Sequence, residues 1–176
     1  AKESQLILDY YITDFENKVV ADWETPAQIN FYNLTGKSFS NSFQAQFSYT
    51  LSNSIDFLFA YKNTDAETDY NSHGRLKNPL TPSDRIFFNV AYNGPTNDKG
   101  RNWKYDFTFN HVGQQRLPST QNNPSEYRLS GTSERLNLIN TQITRVFSAS
   151  FQLSRGVENL SNYRQKKTCL LYTSPS

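Results

Sequence analysis

The chain has 176 residues with a formal net charge of +2, so nucleic acid is not an expected partner and no basic stripe points to one. Aromatics make up 15% of it against a mean hydropathy of -0.73, a ring-rich composition in a polar background that a soluble core of this size would not normally have. No stretch approaches the roughly 20 apolar residues of a spanning helix, which excludes helical membrane proteins and leaves barrels open.

In chain order, Leu6, Leu8, Tyr10 and Ile12 share one face of a first strand. That strand is expected to continue through Val19, Val20 and Trp23, until Thr25-Pro26 breaks it and a loop runs up to Gly36. The clearest stretch follows. From Phe43 to Leu51 the odd positions are Phe43, Ala45, Phe47, Tyr49 and Leu51, and the even ones are Gln44, Gln46, Ser48 and Thr50. This period of two is a strand with one oily and one wet face. After Ser52-Asn53-Ser54 it restarts with Ile55, Phe57, Phe59 and Tyr61, which predicts a β-hairpin. The second strand is expected to reach about Asp69, where Asp65, Glu67 and Asp69 fall on one face as a solvated rim.

Residues 70–83 read as a long loop and 84–93 as a strand with Ile86, Phe88, Val90 and Tyr92 on one face. A compact turn over 93–100 leads to Trp103, Tyr105, Phe107 and Phe109, alternating with Lys104, Asp106, Thr108 and Asn110. The longest loop covers 113–134. A weaker strand over 135–147 and a short turn near Ser148 then lead to Ala149, Phe151, Leu153 and Val157. The result is about seven strands whose connections alternate long and short. Outer-membrane barrels have short periplasmic turns and long extracellular loops, and soluble strands are usually shorter than these.

Several segments carry a family resemblance. They are Asp9-Tyr10-Tyr11-Ile12-Thr13-Asp14-Phe15, Phe31-Tyr32-Asn33-Leu34-Thr35-Gly36-Lys37-Ser38, Lys77-Asn78-Pro79-Leu80-Thr81 and Gly156-Val157-Glu158-Asn159-Leu160-Ser161-Asn162. In this order they resemble the barrel of TonB-dependent outer-membrane receptors of the Bacteroidetes type, over nearly all of residues 5–165. The resemblance implies an all-β fold, an antiparallel transmembrane β-barrel of which 1–167 is a partial, C-terminal piece without the plug domain. It also implies a place in the cell outer membrane. Residues 168–176, which include Cys169, resemble the in-frame translation of a transposon-type sequencing adapter, so a non-native tail is expected there.

The function implied is energised uptake of a nutrient such as a siderophore, vitamin or glycan. The partners are outer-membrane lipid and the TonB system, reached through the missing plug. The alternative is a soluble secreted β-sandwich that binds glycans through exposed rings. No nucleophile elbow, P-loop or dinucleotide turn is present, so no enzyme, cofactor or metal site is expected. His73 and His111 are read as solvated histidines. On a rigid barrel the loops carry recognition. The candidate substrate contacts are therefore Trp23, Tyr32, His73, Arg75, Arg116, Tyr127 and Arg128, aromatic and arginine side chains being the usual contact residues. Trp103, Tyr61, Tyr92 and Tyr105 are the candidate interfacial girdle.

Overall fold

The computed structural model describes residues 3–25, 28–121 and 123–164. The expected tail at 168–176 lies outside the described residues. Ten strands form among the described residues: β1 (Glu3–Phe15), β2 (Val19–Asp22), β3 (Asn30–Asn33), β4 (Ser38–Ser52), β5 (Ile55–Tyr70), β6 (Gly74–Lys77), β7 (Asp84–Asn93), β8 (Asn102–Val112), β9 (Leu136–Ser148) and β10 (Phe151–Val157). The one helical turn among the described residues is a 3-10 turn, Ser125–Tyr127.

Seven long strands make one open antiparallel sheet in the order β1-β4-β5-β7-β8-β9-β10, with β6 added to β5 and β2-β3 as a separate pair. Each long strand pairs with the next one along the chain. Such a meander puts successive connections at opposite ends. The alternation of long and short connections therefore becomes a geometric asymmetry. Segments 16–37, 71–83 and 113–135 gather at one end, and the turns at 53–54, 94–101 and 149–150 at the other.

Two expectations from the sequence are corrected. The first strand does not run on to Trp23. It stops at Phe15, and Asn17 adopts a left-handed φ of 52° that turns the chain. Asparagine tolerates this conformation because its short polar side chain bonds locally. Val19–Asp22 then pairs with Asn30–Asn33 instead of with β4. Residues 70–83 are likewise not all loop. Gly74, at φ 68°, turns the chain so that β6 folds back on the end of β5, pairing Glu67 with Lys77 and Tyr70 with Gly74. β5 thus reaches past β7, whose pairing ends at Asn63 and Asp84.

The register places the alternating apolar residues of the long strands on one face, while Ile7, Tyr11, Leu58 and Phe87 are among those on the other. Phe47 of β4 lies opposite Leu6 and Phe59, Phe59 opposite Phe88, and Phe88 opposite Phe109. These rings are not covered. Phe47 and Phe59 are both 41% exposed, although they sit in the middle strands. The buried apolar side chains are Val20, Leu34, Ala66 and Tyr70, none of them on this face. The other face carries Gln44, Gln46, Asn89, Asp106, Thr108 and Gln142. Its centre is a polar knot in which Asn89 Nδ2 donates to Asp106 and to Thr108 Oγ1 at 3.0–3.2 Å.

The apolar band crosses the sheet obliquely. One row of paired residues runs Leu8, Ala45, Tyr61, Ile86, His111, Asn137. Moving toward the long loops, the polar residue that ends the apolar stretch on this face is Asn137 on β9, a strand that Arg145 and Thr141 also interrupt, and His111 on β8, both in the row itself. It is Asp84 on β7 and Asn63 on β5, two residues beyond the row. It is Asn41 on β4, four beyond, and Asp14 on β1, six beyond. The opposite edge slopes the same way, since apolar residues stop at Leu6 on β1 but reach Trp103 on β8 and Phe147 on β9. Six residues of rise over five strand spacings correspond to about 40° between band and hydrogen-bond direction.

Candidate functional site

The long connections form a small packed cap. Its floor is the end of β5, where the even-numbered Ala66, Thr68 and Tyr70 belong to the polar face and are all buried. Their burial puts the cap on that side of the sheet. Here Ser38 and Thr68 share a hydrogen bond of 2.9 Å, and Thr68 donates to Asn78 Oδ1 at 2.7 Å.

Two carboxylates organise the cap. Asp22, at the end of β2, accepts from the Glu24 N–H and from the Tyr32 hydroxyl, each at 3.0 Å. Glu24 Oε1 lies 2.7 Å from Arg116 Nη1, and Oε2 accepts from the Ser119 N–H at 3.1 Å. Arg116 also donates through Nε to the carbonyl of Lys77. One guanidinium therefore joins the first long connection, the second and the third. Glu24 is 8% exposed and Asp22 3%. Burial of two charges at this depth is tolerable only when they are paired and hydrogen-bonded. The fit is incomplete, because Arg116 Nη2 is buried without a partner among the described residues. Partial burial raises the Tyr32 phenol above its ordinary range, and its hydrogen bond to the Asp22 carboxylate adds to the shift.

At the foot of the cap lies a recess of about 260 Å³. Thr64, Asn78, Ser83, Gln114, Gln115 and Thr132 line it, and Arg116 forms part of the wall with its charge matched by Glu24. Hydroxyls and carboxamides can hydrogen-bond a polar ligand in many orientations. Among the described residues no group of His, Cys, Asp and Glu is arranged to hold a metal ion.

The sequence-predicted contacts are only partly brought together. Tyr32 and Arg116 meet in the cap, but as internal fasteners. Trp23 stands half-buried between Asp22 and Glu24. His73 and Arg75 are exposed on the β5–β6 tip, away from that network, and Arg75 lies 3.9 Å from Asp69. An exposed pair of this kind contributes little. Arg128 donates back into its own loop, to the Asn123 carbonyl at 2.9 Å. Tyr127 closes the 3-10 turn, and its side chain lies outside the described residues. Asp22, Glu24, Tyr70 and Ser119 are members that sequence reasoning missed. Asp22 and Glu24 stand two apart, but nothing local names the arginine that answers them.

On the aromatic face, Trp103, Tyr105 and Tyr92 form one group at the short-turn end. The Trp103 and Tyr105 centroids are 6.5 Å apart, and those of Tyr92 and Tyr105 are 5.9 Å apart. Tyr61 is at the other edge of the band, one pair below Asn63. His111 is not a solvated loop residue. Its side chain is 16% exposed, with Nε2 3.3 Å from Asp84 Oδ2 and Nδ1 2.6 Å from Asn137 Oδ1. This trio closes the long-loop edge of the band. No protein-family model matches the chain, and no curated protein or solved structure does so either.

Proposed function

We propose that this chain is an arc of an outer-membrane β-barrel, part of a TonB-dependent receptor that takes up a nutrient from outside the cell. The observation that carries the reading is the oblique band of uncovered rings. Barrel strands tilt by about 35–45° to the membrane normal. A lipid layer perpendicular to the barrel axis must then cross the hydrogen-bond rows at the same angle, and the band crosses at about 40°.

Other features support it. The aromatic face has no second sheet over it among the described residues, and large exposed apolar areas mark a contact with lipid or protein. The three long connections sit at one end, as extracellular loops do. Among the described residues β1 and β10 have no partner on their outer edges, which further strands of a barrel would supply. The polar face would line the lumen, with the cap folded inward over it and the recess facing what enters. On this reading the chain works in transport, not catalysis, and the force applied by TonB acts through a plug that these residues do not include.

The two tryptophans provide a test, because Trp103 sits on the proposed lipid face and Trp23 in the cap. Trp23→Phe and Trp103→Phe leave one reporter each. In micelles containing a brominated detergent, Trp103 fluorescence should be quenched several-fold more than that of Trp23. A chain that stays monomeric without detergent, with neither tryptophan quenched, would overturn the proposal.

A further inference from the structure

We propose that the short-turn end of the aromatic face holds a site for the phosphate of an anionic phospholipid headgroup, built by Arg101, Arg145 and Arg155. The proposal rests on the membrane reading above and adds a ligand to it.

Three neighbouring elements bring these arginines together. Arg145 of β9 is paired with Trp103 on one side and Leu153 on the other. Its guanidinium carbon lies 4.7 Å from the Trp103 ring centroid and 5.9 Å from that of Phe147. Arg101, just ahead of β8, donates through Nε to the Phe147 carbonyl at 3.2 Å. Arg155 of β10 is paired with Ile143, so it is the diagonal neighbour of Arg145. Phe147 and Phe151 close the end of the face with centroids 5.5 Å apart.

None of the three arginines takes part in an ion pair among the described residues. The turn at this end has one carboxylate, Asp98, beside Lys99 and Arg101, so the local balance is positive. Unpaired guanidinium groups on a lipid-facing surface are costly unless they reach the interface and meet an anion there. Arg145 is one pair inside Phe147, the last apolar residue of its strand, so it stands near the boundary. Arg155 starts one pair deeper, and a side chain of its length carries its charge back toward the headgroups. A guanidinium stacked on an indole keeps its N–H edge free, and that planar fork matches phosphate oxygens.

Trp103 is the reporter, in the Trp23→Phe chain. The micelles contain equal fractions of brominated phosphatidylglycerol or brominated phosphatidylcholine. Quenching by the phosphatidylglycerol should be at least about twofold stronger, since each basic residue near an anionic surface adds to its attraction. The preference should vanish in Arg145→Gln/Arg155→Gln. If that pair fails to fold by circular dichroism, Arg155→Gln alone, on the edge strand, should weaken it. Equal quenching by both lipids would overturn the headgroup site while leaving the membrane reading intact. No quenching by either would sink both. A preference that survives the substitutions would remove the arginines from the site. One that millimolar inorganic phosphate abolishes would remove the lipid as the source of the phosphate.

Discussion

Phe59→Arg should cost about 2–4 kcal/mol in micelles, the loss expected for an arginine at the middle of a lipid-facing barrel surface. Phe59 is the natural position for the experiment. It lies on β5 between Phe47 and Phe88, with apolar residues on both sides along its own strand. The same substitution at Gln46, on the polar face of β4 and outside the hydrogen-bond knot of that face, should change stability by no more than about 0.5 kcal/mol. Urea titration in detergent, followed by Trp103 fluorescence, reads both. The sign of the Phe59 effect in plain buffer is equally informative. For a soluble sheet with an exposed ring, arginine would improve solubility and leave the fold unharmed.

Glu24→Gln should release the cap without melting the sheet. The variant leaves the Arg116 guanidinium, whose side chain is 17% exposed, without its acid. Removing one member of a buried pair typically costs about 3–5 kcal/mol. The loss should stay local because Glu24 touches only cap residues: Arg116, Ser119 and, through its N–H, Asp22. Amide exchange would show it. The Ser119 and Leu34 N–H groups, bonded to Glu24 and to the Lys18 carbonyl, should lose protection, while Phe59 and Phe88 at the centre of the sheet keep theirs. Adding Arg116→Met should restore part of the loss, since an apolar replacement of a whole buried pair is often neutral.

Much of the sheet was legible in the sequence because each strand announces itself locally. The alternation from Phe43 to Leu51 fixes a face without reference to any other residue. The restart at Ile55 then fixes the hairpin, which forms as read over Ser38–Ser52 and Ile55–Tyr70. The unequal connections followed from the same spacing. What stayed hidden depends on partners far along the chain. Val19 and Val20 look like more of the first strand until the left-handed Asn17 and the pairing with Phe31 and Tyr32 are known. Gly74–Lys77 is too short to show a period. Arg116 has the composition of a ligand contact, and only its distance to Glu24 makes it a fastener. The slope of the apolar band was hidden for a related reason. Every polar residue that ends it is visible in the sequence, from Asp14 to Asn137, but the register that sets them in order is not.

That slope can be measured. In a chain carrying Cys169→Ser, nitroxide labels on cysteines at Leu8, Tyr61 and Asn137 sample a single hydrogen-bonded row. In lipid-like micelles, a tilted membrane arc predicts high oxygen and low nickel accessibility at Leu8, an intermediate balance at Tyr61, and nickel accessibility dominating at Asn137. Equal accessibility along the row, or exclusion of both reagents from Leu8 and Tyr61 as in a covered protein core, would contradict it.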